Sequence, residues 1–289
     1  TLAPTEPVVY ARGAIEAAAA LINDPGHAVW VKQKWGATFL QSENLFYRML
    51  LISGAASYQK LTGDLQYEKL LVEQVNSLAQ ELDASPYGLL DDYPGECYPV
   101  DILPAIAAIA RTDTLFGTDH REFVARAVRG FEDIRLDPNT GLPAYVADSR
   151  TGIGKGPARG SGLSFMLIWA AELWPDTAEN WYAKYEQQFW EQNWLVAGFR
   201  EFARMSLYPE YVLDADAGPV LAGYGTTASA FGIGAARVNG RLDQAFALSA
   251  QALAVSWPLA DGRRLLVSLL SNATNAPLVG DAILLFNLT

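Results

Sequence analysis

The chain has one cysteine, Cys97, and two histidines, His27 and His120. A single cysteine excludes an internal disulfide and any cysteine-rich zinc site. Two histidines leave little for a histidine-based metal centre, and the residues call for no metal and no cofactor. Cations are also scarce: 21 Lys and Arg stand against 32 Asp and Glu, a formal net charge of −11. Nucleic-acid binding needs concentrated Lys and Arg to displace counterions, so that class of partner is excluded. Purely electrostatic attachment to anionic lipid is excluded for the same reason. No run of about 18 or more apolar residues occurs, so no segment reads as a membrane span. No signal peptide is evident. The chain opens on Thr1 rather than Met and reads as a processed or trimmed piece. Residues 1–9 are expected to be an N-terminal extension or the remnant of an upstream segment, where a signal or membrane anchor would have lain. Compartment and oligomeric state are left open.

What is present is a core. Hydrophobic residues make up 51% of the 289 residues, with 8 Trp, 13 Tyr and 12 Phe, which excludes a disordered chain. Helical periodicity dominates. Leu71, Val75, Leu78 and Leu82 recur at helical spacing, as do Phe123, Ala127, Phe131 and Ile134. Trp181, Tyr185 and Phe189 form a third face, and Leu242, Phe246, Leu253 and Trp257 a fourth. These read as outer helices with one buried face. Residues 45–58, 100–116, 163–173 and 220–238 are instead apolar or small nearly all round, the composition of helices buried on every side. Short connectors with Gly63, Gly117 and Gly240 suit helix C-termini. Longer loops, 84–99, 137–160 and 198–219, carry the unusual residues. Inner and outer helices alternate with a weak repeat of roughly 50 to 60 residues. The expectation is an all-α fold, an α/α toroid forming a single domain over residues 1–289, with the long loops at one mouth. A last hairpin, or a last helix pair, is expected from residues 265–270 and 282–286.

The densest chemistry lies in residues 87–101, Y-G-L-L-D-D-Y-P-G-E-C-Y-P-V-D. Asp91, Asp92, Glu96 and Asp101 stand beside Cys97 and the apolar run that follows, and such groups are costly to bury without partners. Two facing carboxyls, one kept protonated by the other, would supply a general acid and a general base. Glu96 and Asp92 are the preferred pair, because they precede the helix and are freer to point inward, whereas Asp101 is also suited to capping that helix. Cys97 stands at a helix N-terminus, which favours a reactive thiolate, although a lone cysteine is more often a small buried hydrophobe. Asp214 and Asp216 form a second acidic loop, read equally as an opposing carboxylate or as turn and cap. Arg150, Lys155 and Arg159 flank a glycine-rich lid or surface loop, which has no P-loop spacing; no nucleophile elbow occurs. Trp35, Asn44, Tyr98, Phe165 and Tyr224 are candidates to contact a substrate, with core packing the alternative for the aromatics.

Several phrases carry a resemblance. Asn44-Leu45-Phe46-Tyr47, Gly54, Tyr58, Gly63-Asp64 and Tyr67 open it. Tyr98-Pro99-Val100-Asp101, Leu115-Phe116-Gly117-Thr118-Asp119-His120, Asp137-Pro138-Asn139-Thr140-Gly141-Leu142, Gly160-Ser161-Gly162 and Gly280-Asp281-Ala282-Ile283-Leu284 continue it. Together, from about Gly36 onward, the chain resembles the linalool dehydratase/isomerase-like family. The resemblance implies an α/α barrel whose mouth holds acid/base groups around an allylic alcohol, with Tyr47, Cys97 and the nearby acids as the matching positions. The implied activity is that of a cofactor-free lyase or isomerase acting on a small alcohol or terpenoid-like molecule. A carbohydrate-active toroid enzyme with paired carboxylates, and a non-catalytic extracytoplasmic binding module with Ca²⁺ held in the acidic cluster, remain the alternatives.

Overall fold

The computed structural model describes residues 13, 15–17, 20, 21, 24, 26, 29–132, 136–214, 217–258, 264, 265 and 287. The chain divides into two compact units, Thr1–Leu136 with Val146–Lys155, and Asp137–Tyr145 with Gly156–Thr289.

In the first unit a short helix, α1 (Val29–Trp35), precedes three long ones, α2 (Leu45–Thr62), α3 (Glu68–Ala84) and α4 (Pro99–Phe116). Two short helices follow, α5 (Arg121–Ala127) and α6 (Arg129–Glu132). α2 packs against α3 and α4. The sequence explains these bounds. Gly63 ends α2 in the left-handed conformation at φ +70°, where a side chain would be strained, and its N–H returns to the Gln59 carbonyl. Pro99 opens α4 at the position where a helix needs no N–H. α3 buries the expected face of Leu71, Val75, Leu78 and Leu82. α4 buries residues all round, from Ile102 to Ile109, as its apolar composition requires. A small antiparallel pair, Val146–Ala147 with Gly154–Lys155, joins α4's entry loop because the Ala147 N–H donates to the Cys97 carbonyl.

The second unit holds α7 (Gly160–Leu173), α8 (Pro175–Phe189), α9 (Thr226–Val238) and α10 (Leu242–Ala254). α7 packs on α8 and α9, and α9 on α10. Gly160 is required at the start of α7: a Cβ there would lie 2.0 Å from the Arg200 carbonyl oxygen. Trp190–Gln192 pairs with Ala197–Phe199 as a hairpin, and Val212–Asp214, Gly218–Leu221 and Tyr224–Gly225 form a three-stranded sheet. Asn193 closes the hairpin tip by accepting the N–H groups of Leu195 and Val196.

The all-α toroid is therefore corrected. Helices predominate among the described residues, but small antiparallel sheets are present too, so the fold is mixed α/β. Most of the strands lie in or beside the long loops. At two to four residues each they are too short for alternation to stand out in the sequence. Val220, expected inside an inner helix, lies in a strand, and α9 begins only at Thr226. Gly218, Pro219 and Gly223 hold the intervening chain out of helix. The expected outer face of α10 is also reversed. Leu242, Phe246 and Leu253 are exposed, the helix buries Gln244, Ala245 and Leu248, and Trp257 enters a strand paired with Leu265. Of the expected last hairpin only Leu265 is described. Residues 1–9, 266–270 and 282–286, with His27 and Ile134, lie outside the described residues. No described helix is long and apolar enough to cross a membrane.

Candidate functional site

The loop before α4 is built by its own sequence. Pro94 and Gly95 occupy the centre of a turn in which the Glu96 N–H donates to the Tyr93 carbonyl at 2.8 Å, and Gly95 takes φ +82°. Pro then Gly with a positive φ is the signature of a type II turn. The Gly95 N–H donates to Asp91 Oδ2 at 2.7 Å, and the Asp92 N–H donates to the Glu96 carbonyl at 2.9 Å. The turn therefore returns on the Asp91-Asp92 dipeptide and presents it to two helix starts.

Asp92 lies at the centre of this arrangement. Its Oδ1 accepts the N–H of Phe46, in the first turn of α2, at 3.0 Å. Its Oδ2 accepts the N–H of Tyr98, directly before α4, at 2.9 Å. The Asp91 carbonyl takes the N–H of Leu45, the first residue of α2. Helix starts leave such donors unsatisfied, and Asn44 makes no side-chain cap on α2, so the dipeptide caps the helix from another part of the chain. Asp92 is 2% exposed. Burial raises its pKa well above the usual carboxylate range, and the Asp101 charge raises it further. The N–H groups of Tyr98 and Phe46 oppose this, and Asp91 adds a smaller upward push. Burial together with the Asp101 charge outweighs two backbone donors, and Asp92 holds a proton more tightly than an isolated aspartate. Asp101, in the first turn of α4, is the half-exposed member.

The other expected residues take varied places. Tyr98 is half-buried and its hydroxyl donates to Glu96 Oε2 at 3.1 Å. Glu96 itself is exposed on the turn, so the carboxyl acting on Asp92 is Asp101 rather than Glu96. Cys97 is fully buried, the surroundings of a structural thiol. Tyr47 is buried in an aromatic group, its ring 6.2 Å from Trp30 and 5.9 Å from Phe39, with Trp35 packed on the same cluster. Trp30 in turn lies 6.2 Å from Tyr93 of the turn. Asn44 is buried in the left-handed conformation and its Nδ2 donates to the Phe39 carbonyl, so it shapes the loop. Phe165, Asp214 and Tyr224 belong to the second unit, and Asp216 lies outside the described residues.

Two features escaped the sequence reading. Arg48, fully buried in α2, donates to Gln74, Glu81, Ser77 and the Glu43 carbonyl, and so fixes the chain entering α2. No sequence signal separates this arginine from a surface one. In the second unit, Glu201 is fully buried against α7. It accepts Arg159 Nε at 2.7 Å, Ser161 Oγ at 2.8 Å and the Ser161 N–H at 3.1 Å. Arg159 Nη2 also meets Asp214 Oδ2 at 3.1 Å, and the guanidinium lies over the Tyr145 ring. Burial raises the Glu201 pKa despite these partners. The occupied oxygens and the lack of exposure make this a structural ion pair, and Asp214 becomes its outer member. The G-S-G start of α7 was the available signal, since a helix N-terminus attracts a carboxylate.

Among the described residues no group of three or more His, Cys, Asp or Glu is arranged to hold a metal ion. Compared with known proteins, the chain matches no protein-family model and no curated protein.

Proposed function

We propose that the first unit is a cofactor-free acid/base enzyme that removes or relocates the hydroxyl of a small, mostly apolar alcohol. One observation supports this reading above the others: a buried carboxyl, Asp92, held between two helix starts and raised in pKa by burial and by the charge of the half-exposed Asp101. Asp101 is the member that reaches a substrate. The proton shared by the pair passes from Asp101 to the departing hydroxyl oxygen. The C–O bond breaks, water leaves, and an allylic cation remains. The faces of Trp30 and Tyr47 favour that positive charge. A C–H bond next to the cation then gives its electrons to a new C=C bond and its proton to the Asp101 carboxylate, restoring the pair. Addition of the same water at the other allylic end gives isomerisation instead. Asp92 stays anchored by the Phe46 and Tyr98 N–H groups, which stabilise its charge while the proton is away.

A glycosidase places its two carboxyls across a gap that holds the sugar bond. The Asp101 charge raises the pKa of Asp92, which supports a shared proton over that geometry. The test compares wild type, Asp101→Asn and Asp92→Asn on allylic alcohols and on neutral and uronic oligosaccharides. Conversion of an alcohol by wild type, reduced about 100-fold or more in Asp101→Asn, is expected. Oligosaccharide cleavage, or alcohol turnover untouched by Asp101→Asn, would overturn the reading.

A further inference from the structure

A cavity of about 420 Å³ in the second unit is lined by Glu191 and Gln192 of the first hairpin strand, by Arg200, directly after the second strand, and by Arg204 in the loop that follows. Its volume lies in the range that takes a small molecule. The lining holds two guanidiniums, one amide and one carboxylate, an excess of positive charge on a chain of net charge −11. The backbone around it is shaped to admit these groups. Gly223 takes φ +81°, and a Cβ there would collide with the Arg200 guanidinium. Tyr224 is joined to Arg200 by a backbone bridge and lies against Gly198, where a Cβ would meet its ring at 2.8 Å. Two glycines therefore make room for Arg200 and Tyr224.

Donor groups in this neighbourhood are left unused. Arg204 is exposed and donates to the Trp190 carbonyl, and among the described residues no carboxylate pairs with it. Arg200 gives Nη1 to Glu191 at 2.8 Å and Nη2 to Glu210 at 3.4 Å, but its buried Nε has no hydrogen-bond partner. The Tyr224 hydroxyl is also buried without a partner. The charges of Glu191, Arg200 and Arg204 all act on it, so it belongs to the same group of side chains. Buried polar atoms are nearly always bonded, and leaving one unbonded costs free energy. A guanidinium has donors only and a phenol can donate, so the group calls for an acceptor. We infer that this cavity binds an oxyanion, a carboxylate or phosphate group carried by a small polar molecule. The planar fork of arginine matches both groups. Glu191 narrows the class. A carboxylate already in the lining repels a polyanion and accepts hydroxyl groups, which favours a monoanionic, hydroxylated molecule such as a sugar acid. The inference rests on the second unit alone and is independent of the reaction proposed for the first.

The experiment is isothermal titration calorimetry of the full chain with glucuronate, inorganic phosphate and neutral glucose at constant ionic strength. Saturable binding of glucuronate or phosphate, and none of glucose, is expected; the two anions distinguish carboxylate from phosphate recognition. Affinity should fall about 10-fold or more in Arg204→Gln and about 3-fold or more in Tyr224→Phe. Arg204 is exposed, and the second change removes only an unpartnered hydroxyl, so both variants keep the fold, as circular dichroism would verify. Absence of saturable binding of either anion to wild type, equal binding of glucose, or wild-type affinity in either variant would overturn the inference.

Discussion

Asp92 accepts two backbone N–H groups and still holds its proton more tightly than an ordinary carboxyl, because burial and Asp101 outweigh the donors. That balance has a measurable consequence for stability. With its pKa raised in the folded state, Asp92 contributes stability that is fully present below the ordinary carboxylate range and is lost as pH rises through the raised value. Asp92→Asn removes the titration, so the Tm of the variant minus that of wild type should increase from about pH 4 to about pH 8. Thermal scans across that range check this. A flat difference would mean that Asp92 ionises as an exposed aspartate does, and the shared proton of the proposed mechanism would go with it. Arg48 is the opposite case, a buried charge whose value lies in its partners. Glu81 at 2.8 Å, Gln74 and Ser77 take its donors, so it serves as an anchor for the chain entering α2 rather than as chemistry.

Among the elements, α10 separates pattern from packing. Its sequence offers Leu242, Phe246 and Leu253 as a buried stripe, yet the helix turns Ala245, Leu248 and Gln244 inward. The polar groups explain the choice. Gln244 accepts the Tyr182 hydroxyl at 2.7 Å and donates to Glu186, while Gln251 donates to the Ala197 carbonyl and accepts its N–H. Rotating the helix would leave these buried partners unsatisfied, at about 1–3 kcal/mol each, which outweighs the gain from burying Phe246. Leu248→Ala should therefore destabilise the protein by about 2–4 kcal/mol, and Phe246→Ala by less than about 0.5 kcal/mol. Denaturant unfolding of the two variants measures the difference, and the reverse order would restore the face that periodicity alone suggests.

For the whole molecule, charge sets behaviour in solution more than fold. The excess of acidic groups gives a pI near 4.7. Net repulsion keeps copies apart near neutral pH and vanishes at the pI, where exposed apolar side chains such as Trp194, Met205 and Leu207 meet no electrostatic barrier. Light scattering should show self-association rising steeply near the pI of 4.7 and falling again near neutrality. A chain that stays dispersed at its pI would indicate that the apolar side chains are less available than their exposure implies. Within the second unit, the ion pairs of Arg159 with Glu201 and Asp214 join α7 to the strands that follow it.

The sequence by itself determined the local features. Pro94-Gly95 makes the turn, Gly63 ends α2, Pro99 starts α4, and the apolar run after Asp101 makes a helix buried all round. Each depends on the backbone preferences of neighbouring residues or on composition within one helix, and both can be read without a fold. The crowding of carboxyls in residues 91–101 was legible for the same reason. Tertiary structure decided which of them meet. Asp101 rather than Glu96 acts on Asp92, because the turn carries Glu96 outward while the first turn of α4 brings Asp101 back toward the dipeptide. It also decided that the long loops hold strands and which face α10 buries. Strand pairing, ion pairing and the burial of polar side chains are contacts between distant parts of the chain, and their free energy exists only once the partner is in place.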